Sequence, residues 1–309
     1  MLSYIMGQTQ IKDAQVRHYE SMLEPSKRIF NDRYAKAIYS GGMGMDVLAS
    51  WTGASLAFSD TIVDTPGYLE MVSIRTRWVD DAIVSTLKEF GYEKKKTQLV
   101  LLRARNDTRS FRLDIGRNCT VFEVDLPEMQ QNKLDGLLYL DEKDYDAAAR
   151  RVKRGQVKFV DATIGKALIR HDDWNQKTKT IVVMEGFTQY VNKGRTTDQL
   201  KLMYRIMPKG SKIIMTYADV NCVRDPSKCG NPDNVKNVLQ LCAESPEFGV
   251  WRSGWTQEEM KEYLFKCGYQ VEWDTTAKEC HDIYLWKRGR KLSKEETLSM
   301  ERFVVARRL

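Results

Sequence analysis

The chain has no apolar run approaching the roughly 18 residues of a membrane span, no Cys-x-x-Cys pair, and only 3 histidines and 7 prolines in 309 residues. The first absence argues against a membrane protein. The second leaves Cys119, Cys222, Cys229, Cys242, Cys267 and Cys280 as reduced thiols. A zinc site from Cys222, Cys229 and Cys242 would lack the usual spacing, and no metal is expected. The N-terminal segment has neither a basic start nor an apolar stretch, so no secretory signal is expected and the cytoplasm is the expected location. Internal repeats, low-complexity tracts and a Pro/Ser-rich linker are also missing, which favours one domain over residues 1–309. The net charge of +7 is spread over scattered basic runs without interleaved aromatics, so nucleic acid is not an expected partner.

What is present reads as alternating strands and helices. Short β-rich runs lie at 99–102, 120–124, 157–160, 180–184, 212–217, 269–273 and 302–306. Between them, apolar residues at helical spacing predict helices over 76–90 and 196–207, and Thr256-Gln-Glu-Glu259 is a capping box opening another. An earlier stripe of Val16, Tyr19, Leu23, Ile29 and Phe30 predicts a helix within 12–38. Gly41-Gly-Met-Gly44 is a break without the flanks of a phosphate loop. This order predicts an α/β fold with one mostly parallel sheet and helices on both faces. Residues 1–70 form a helical addition. Residues 218–254, too long for a plain connection, form an inserted lid or substrate wall.

Ligands of such sheets bind outside the C-terminal strand ends. Those ends carry Arg103-Ala104-Arg105 and the residues on to Asp107, then Asp125, Asp161, Glu185-Gly186 and Tyr217. Asp125 lies where a ribose-binding carboxylate stands in a nucleotide fold, about 20 residues after the first turn. The glycines of that turn are replaced by arginines. Several acids at strand ends suit a ligand with hydroxyls, an exocyclic amine and an ammonium, which describes S-adenosylmethionine better than NAD.

The segments 73–81, 106–113, 121–127, Met184-Glu-Gly-Phe-Thr-Gln-Tyr190 and Gly254-Trp255 occur in that order, before a closing Glu301-Arg-Phe-Val-Val-Ala-Arg-Arg308. Together they resemble the leucine carboxyl methyltransferase family, in particular its small-molecule O-methyltransferases. The resemblance implies a class I methyltransferase (Rossmann-like) fold with seven strands, the last antiparallel, and methyl transfer from S-adenosyl-L-methionine to a carboxylate or hydroxyl. It implies that Arg75 binds the methionine carboxylate, Asp125 the ribose and Asp161 with Ala162 the adenine. Glu185 would meet the ammonium, and Tyr190 would wall the acceptor side. His171, beside two aspartates, is the histidine best placed as a base, should a hydroxyl acceptor need one. Trp251, Trp255 and Tyr217 point to an apolar or ring-bearing small molecule; a protein C-terminal carboxylate follows from family analogy alone.

The family turn is Gly-Ala-Gly, where this chain has Arg103-Ala104-Arg105. Two readings stay open. One is an active O-methyltransferase with an altered first loop. The other is a methyltransferase-fold protein with lost or reshaped cofactor binding, acting without the cofactor on an anionic molecule or only binding.

Overall fold

The computed structural model describes residues 8–41, 65–163, 166–244 and 251–309. Gly42, Met43 and Gly44 of the expected break lie outside them. Its sheet has seven strands: β1 Thr97–Leu102, β2 Cys119–Asp125, β3 Val157–Asp161, β4 Thr180–Met184, β5 Lys212–Ala218, β6 Tyr269–Thr276 and β7 Glu301–Arg308. They lie in the order β3-β2-β1-β4-β5-β7-β6. The first five pair in parallel, and β7 runs antiparallel between β5 and β6. The predicted class I methyltransferase topology is therefore present.

Side chains alternate across a strand, and the central strands are apolar on both faces, as a sheet covered on both sides requires. Leu99, Leu101, Val121, Ile181 and Val183 enter one core. Val100, Phe122, Val182 and Met184 enter the other.

Helix α1 spans Gln8–Met22, α2 Ala35–Gly41 and α3 Tyr68–Phe90. The single helix expected within 12–38 is broken, with residues 23–34 forming turns. Pro25 disfavours helix in the residue before it, and the buried Glu20 carboxylate receives the Ile29 N–H at 2.8 Å. Helix α3 starts eight residues before the predicted Thr76. Its first turns bury Met71, Val72 and Ile74 but also Ser73, Arg75 and Thr76, which hides the apolar period. At its C-terminus Gly91 takes φ +72°, the left-handed cap that glycine adopts without steric cost.

Between strands run α4 Arg109–Arg112, α5 Pro127–Leu137, α6 Glu142–Lys153, α7 Ala167–Arg170 and α8 Lys193–Ile206. After β5 come α9 Val220–Arg224 and α10 Pro232–Glu244, in the stretch read as an insertion. Helix α10 buries Val235 and Val238, and Asn237 bonds Thr65 at 2.9 Å just before α3. The capping box at Thr256 opens α11 Gln257–Lys266 as predicted, and α12 Ala277–Tyr284 follows β6 behind a second box at Thr276.

The cysteines depart from expectation. Cys222 and Cys229 are joined in a disulfide, while Cys119, Cys242, Cys267 and Cys280 are buried and outside any disulfide. Their Cα atoms lie 5.5 Å apart, within the span a disulfide bridges, because α9 and the 3-10 turn Pro226–Cys229 double the chain back. No described helix is long and apolar enough to cross a membrane.

Candidate functional site at the strand ends

Beyond β1 the chain turns sharply. Arg103 has φ +54° and Arg105 φ +33°, so the backbone keeps a left-handed shape that glycines supply without strain. For an L-residue that conformation costs about 1–2 kcal/mol. The turn is held from three sides. Asp125 accepts the Arg105 N–H at 2.7 Å and its neighbour Leu126 N–H at 2.8 Å. Arg103 N–H reaches Val124 O at 2.8 Å. From α5 the buried Lys133 ammonium reaches Asp107 O at 2.8 Å and the Glu123 carboxylate at 2.6 Å. Glu123 sits inside β2 and also contacts the Ser110 hydroxyl; a buried lone charge there would be costly, and Lys133 and Ser110 offset part of that cost, burial still holding the carboxyl above its usual value.

Arg75, from the middle of α3, is 3% exposed and meets three carboxylates. They are Glu185 at 2.9 Å, Glu301 at 3.0 Å and Asp13 of α1 at 2.6 Å. Glu185 bridges onward to Arg109, which also holds Asp80 at 2.7 Å and Asp107 at 2.8 Å. Burial pushes the Glu185 carboxyl upward, but Arg109 and Arg75 outweigh it and hold it below the usual glutamate value. Asp107 is likewise raised by burial, and Arg109 and Lys133 bring it down to about 2. Both acids are therefore ionised at neutral pH.

Two cavities meet at this turn. One, about 470 Å³, is lined by Leu102, Val124, Asp161, Ala162, Phe187 and Arg103, with α7 and α8 forming its far walls. That volume is ordinary for a small-molecule site. The other, about 30 Å³, lies among Asp13, Arg17, Arg103, Asp107, Arg109 and Glu185. Arg103 lines both. Its guanidinium lies 4.7 Å from the centre of the Phe187 ring, a cation–π contact. Gly186, at φ +59°, faces open space, where an added Cβ would meet nothing within 4 Å.

The structure thus brings Arg103, Ala104, Asp161, Ala162 and Glu185 to the cavity walls; Arg75, Asp125 and Arg105 line neither cavity, Arg75 pairing with Glu185 and Arg105 giving its N–H to Asp125. Asp161 accepts the Thr163 N–H at 2.8 Å. Tyr190 ends the 3-10 turn after β4. Burial, with Cys242, Glu301 and Asp13 around it, pushes its phenol well above the usual range. His171 lines neither cavity. It packs edge-on against Phe122 and accepts the Asp173 N–H at 3.2 Å.

The aromatic reading of the acceptor side also needs correction. Tyr217 and Trp255 are core residues, 0% and 2% exposed, stacked edge-to-face on each other. The Tyr217 hydroxyl is taken by Asp274 of β6 at 2.6 Å. Conversely, Asp13, Asp80, Arg109, Lys133 and Glu301 had no role in the sequence reading. Asp107 stood at the end of the first strand, and Asp80, Arg109 and Glu301 lay inside the family-like segments, which was the available signal.

A sequence model described as leucine carboxyl methyltransferase matches residues 10–203. A Bacillus subtilis protein named "Putative S-adenosyl-L-methionine-dependent methyltransferase YktD" is 27% identical over 205 residues, 65% of this chain and 63% of that protein. A Frankia alni protein with the same designation, FRAAL3836, is 27% identical over 266 residues, covering 86% and 84%. The chain thus spans less than two thirds of YktD and most of the Frankia protein. Among solved structures, a DUF574 family protein from Streptomyces avermitilis superposes with TM-score 0.51 at 12% identity over 96% of this chain and 97% of that one. A Thermobifida fusca structure titled a putative methyltransferase gives TM-score 0.51 at 15% identity, covering 82% and 88%. Those two likenesses speak to the fold.

Proposed function

Because the chain belongs to the leucine carboxyl methyltransferase family, we propose that it is a methyltransferase that moves a methyl group from S-adenosyl-L-methionine to an oxygen of a small molecule. The observation that carries this reading is the clamp of Asp125 on a turn where Arg103 and Arg105 hold positive φ, the conformation that glycine adopts without strain. The larger cavity has room for the adenosine half of the cofactor, with Asp161 and Ala162 at its wall next to Val124, the residue before Asp125. For the methionine half the donor set is in place: Arg75 for a carboxylate and Glu185 for an ammonium. Space there requires Asp13 to leave Arg75.

When bound, the cofactor supplies a methyl group already activated on a sulfonium. The protein's part is then orientation of the acceptor oxygen in line with it, which can supply much of the rate. Tyr190 holds its proton far above neutral pH, and His171 lies outside both cavities. A hydroxyl acceptor needs a base and an ionised carboxylate does not, so the reading favours a carboxylate acceptor, with Tyr190 as a neutral wall.

Calorimetric titration with S-adenosylmethionine and S-adenosylhomocysteine tests the cofactor half of the reading, and no heat with either would refute it. Labelled-methyl transfer to panels of carboxylic acids and of alcohols or phenols tests the acceptor half. The second reading, a fold with reshaped cofactor binding, is favoured by one observation: Arg75 already holds three carboxylates beside a cavity of about 30 Å³.

A further inference from the structure

Arg103 occupies a strained position. Glycine would hold φ +54° without the steric cost, so the turn's shape does not call for arginine. Backbone strain of this kind is found where a side chain is needed. The guanidinium is half-buried at the junction of the two cavities, resting on Phe187. Among the described residues neither Arg103 nor Arg195, at the start of α8, forms an ion pair, and both line the larger cavity together with Lys166. Burial disfavours the Arg103 cation, and Arg105 and Arg195 act on it as like charges besides. The acid that does act on it, Asp125, is already turned to two backbone N–H groups. Asp161 and Asp198 also border the cavity, but Asp161 faces the N–H and hydroxyl of Thr163.

A partly buried cation without a counterion is relieved by an anion brought in by a ligand. A sulfonium cofactor brings positive charge to the same place. The rest of the cavity is a slot of apolar side chains, among them Leu102, Val124, Ile169 and Phe187, suited to a flat base.

We propose that this cavity binds a nucleoside phosphate, its base in the apolar slot and its phosphate on Arg103 and Arg195. The proposal rests on reading the larger cavity as a nucleoside site. It does not require the methionine side to be open.

The test is calorimetric titration of the full chain, at low and at high salt, with adenosine, adenosine monophosphate and S-adenosylhomocysteine. Adenosine monophosphate is expected to bind about tenfold or more tightly than adenosine, the scale of a charge-assisted contact. Added salt should shrink that preference by screening. Arg103→Gly and the exposed Arg195→Ala should each reduce the ratio of the two affinities. Because the ratio is taken within one protein, partial loss of folded material does not change it. Equal binding of adenosine and its monophosphate, no binding of either, or a preference that survives both substitutions together would overturn the proposal. Binding of S-adenosylhomocysteine without a phosphate preference would overturn it and leave the methyltransferase reading standing. A phosphate preference without S-adenosylhomocysteine binding would uphold it and remove that reading.

Discussion

The carboxylate of Asp125 and the backbone N–H of Arg105 are 2.7 Å apart, so the end of β2 holds the turn that follows β1. In the proposed function the same carboxylate meets the ribose, and its second oxygen is already engaged by Leu126 N–H. Asp125→Ala is therefore expected to act twice. Affinity for S-adenosylhomocysteine should fall at least about tenfold, and unfolding free energy should fall by about 1–3 kcal/mol, the cost of an orphaned buried donor. Calorimetry and denaturant unfolding measure the two separately. An unchanged affinity would refute the ribose assignment.

In the proposed function, Asp13 of α1 would compete for Arg75 with the ligand's carboxylate. Removing it in Asp13→Ala leaves Glu185 and Glu301 on the arginine, which remains neutralised. The variant should bind S-adenosylmethionine about tenfold more tightly, one charge-assisted contact no longer having to be exchanged. Weaker or equal binding would show that Asp13 is not in the way.

Acid should unfold this protein partly through Asp107. Its carboxyl is brought down to about 2 by Arg109 and Lys133, acting against burial, from an ordinary value of 3.8. A depressed value means that the ionised form belongs to the folded state. The contribution is complete above pH 4–5 and disappears as pH falls through about 2. It amounts to about 2 kcal/mol on that linkage. Asp107→Asn should flatten the loss of stability between about pH 5 and pH 2, measured by denaturant midpoints at stepped pH. An unaltered slope would place the acid sensitivity elsewhere.

Thiol counting checks the disulfide. Of six cysteines, Cys222 and Cys229 are joined and the other four are outside any disulfide. Denatured but unreduced protein should react at four thiols, and reduced protein at six. The closed loop is short, so its loss in Cys222→Ser with Cys229→Ser should cost about 2–3 kcal/mol on the chain-entropy scale. Six reactive thiols before reduction would dismiss the bond.

The strands were legible because burial on both faces forces near-continuous apolar runs, as in Thr180–Met184, which is buried throughout. The position of Asp125 was legible because the strand ends where the apolar alternation stops. Arg75 was found through a motif, but its partners were not, since Asp13 and Glu301 are separated from it by 62 and 226 residues. Glu123 and Lys133 were invisible for a related reason: a charged residue within a strand reads as solvent-facing until its cation is known. The bond between Cys222 and Cys229 could not be read either, because seven residues of separation match no metal spacing and the double-back of α9 is a tertiary fact. Tyr217 misled because its place at a strand's end says nothing of which way the ring points.

Strand β7 comes last in the chain yet lies between β5 and β6. Until residues 301–308 arrive, β6 has no strand partner and Arg75 lacks its Glu301 partner. The far edge of the sheet and the arginine at the candidate site are thus completed by one late event. During synthesis the first five strands can assemble ahead of the rest, but neither that edge nor the arginine's charge balance is finished until the final strand is threaded into place.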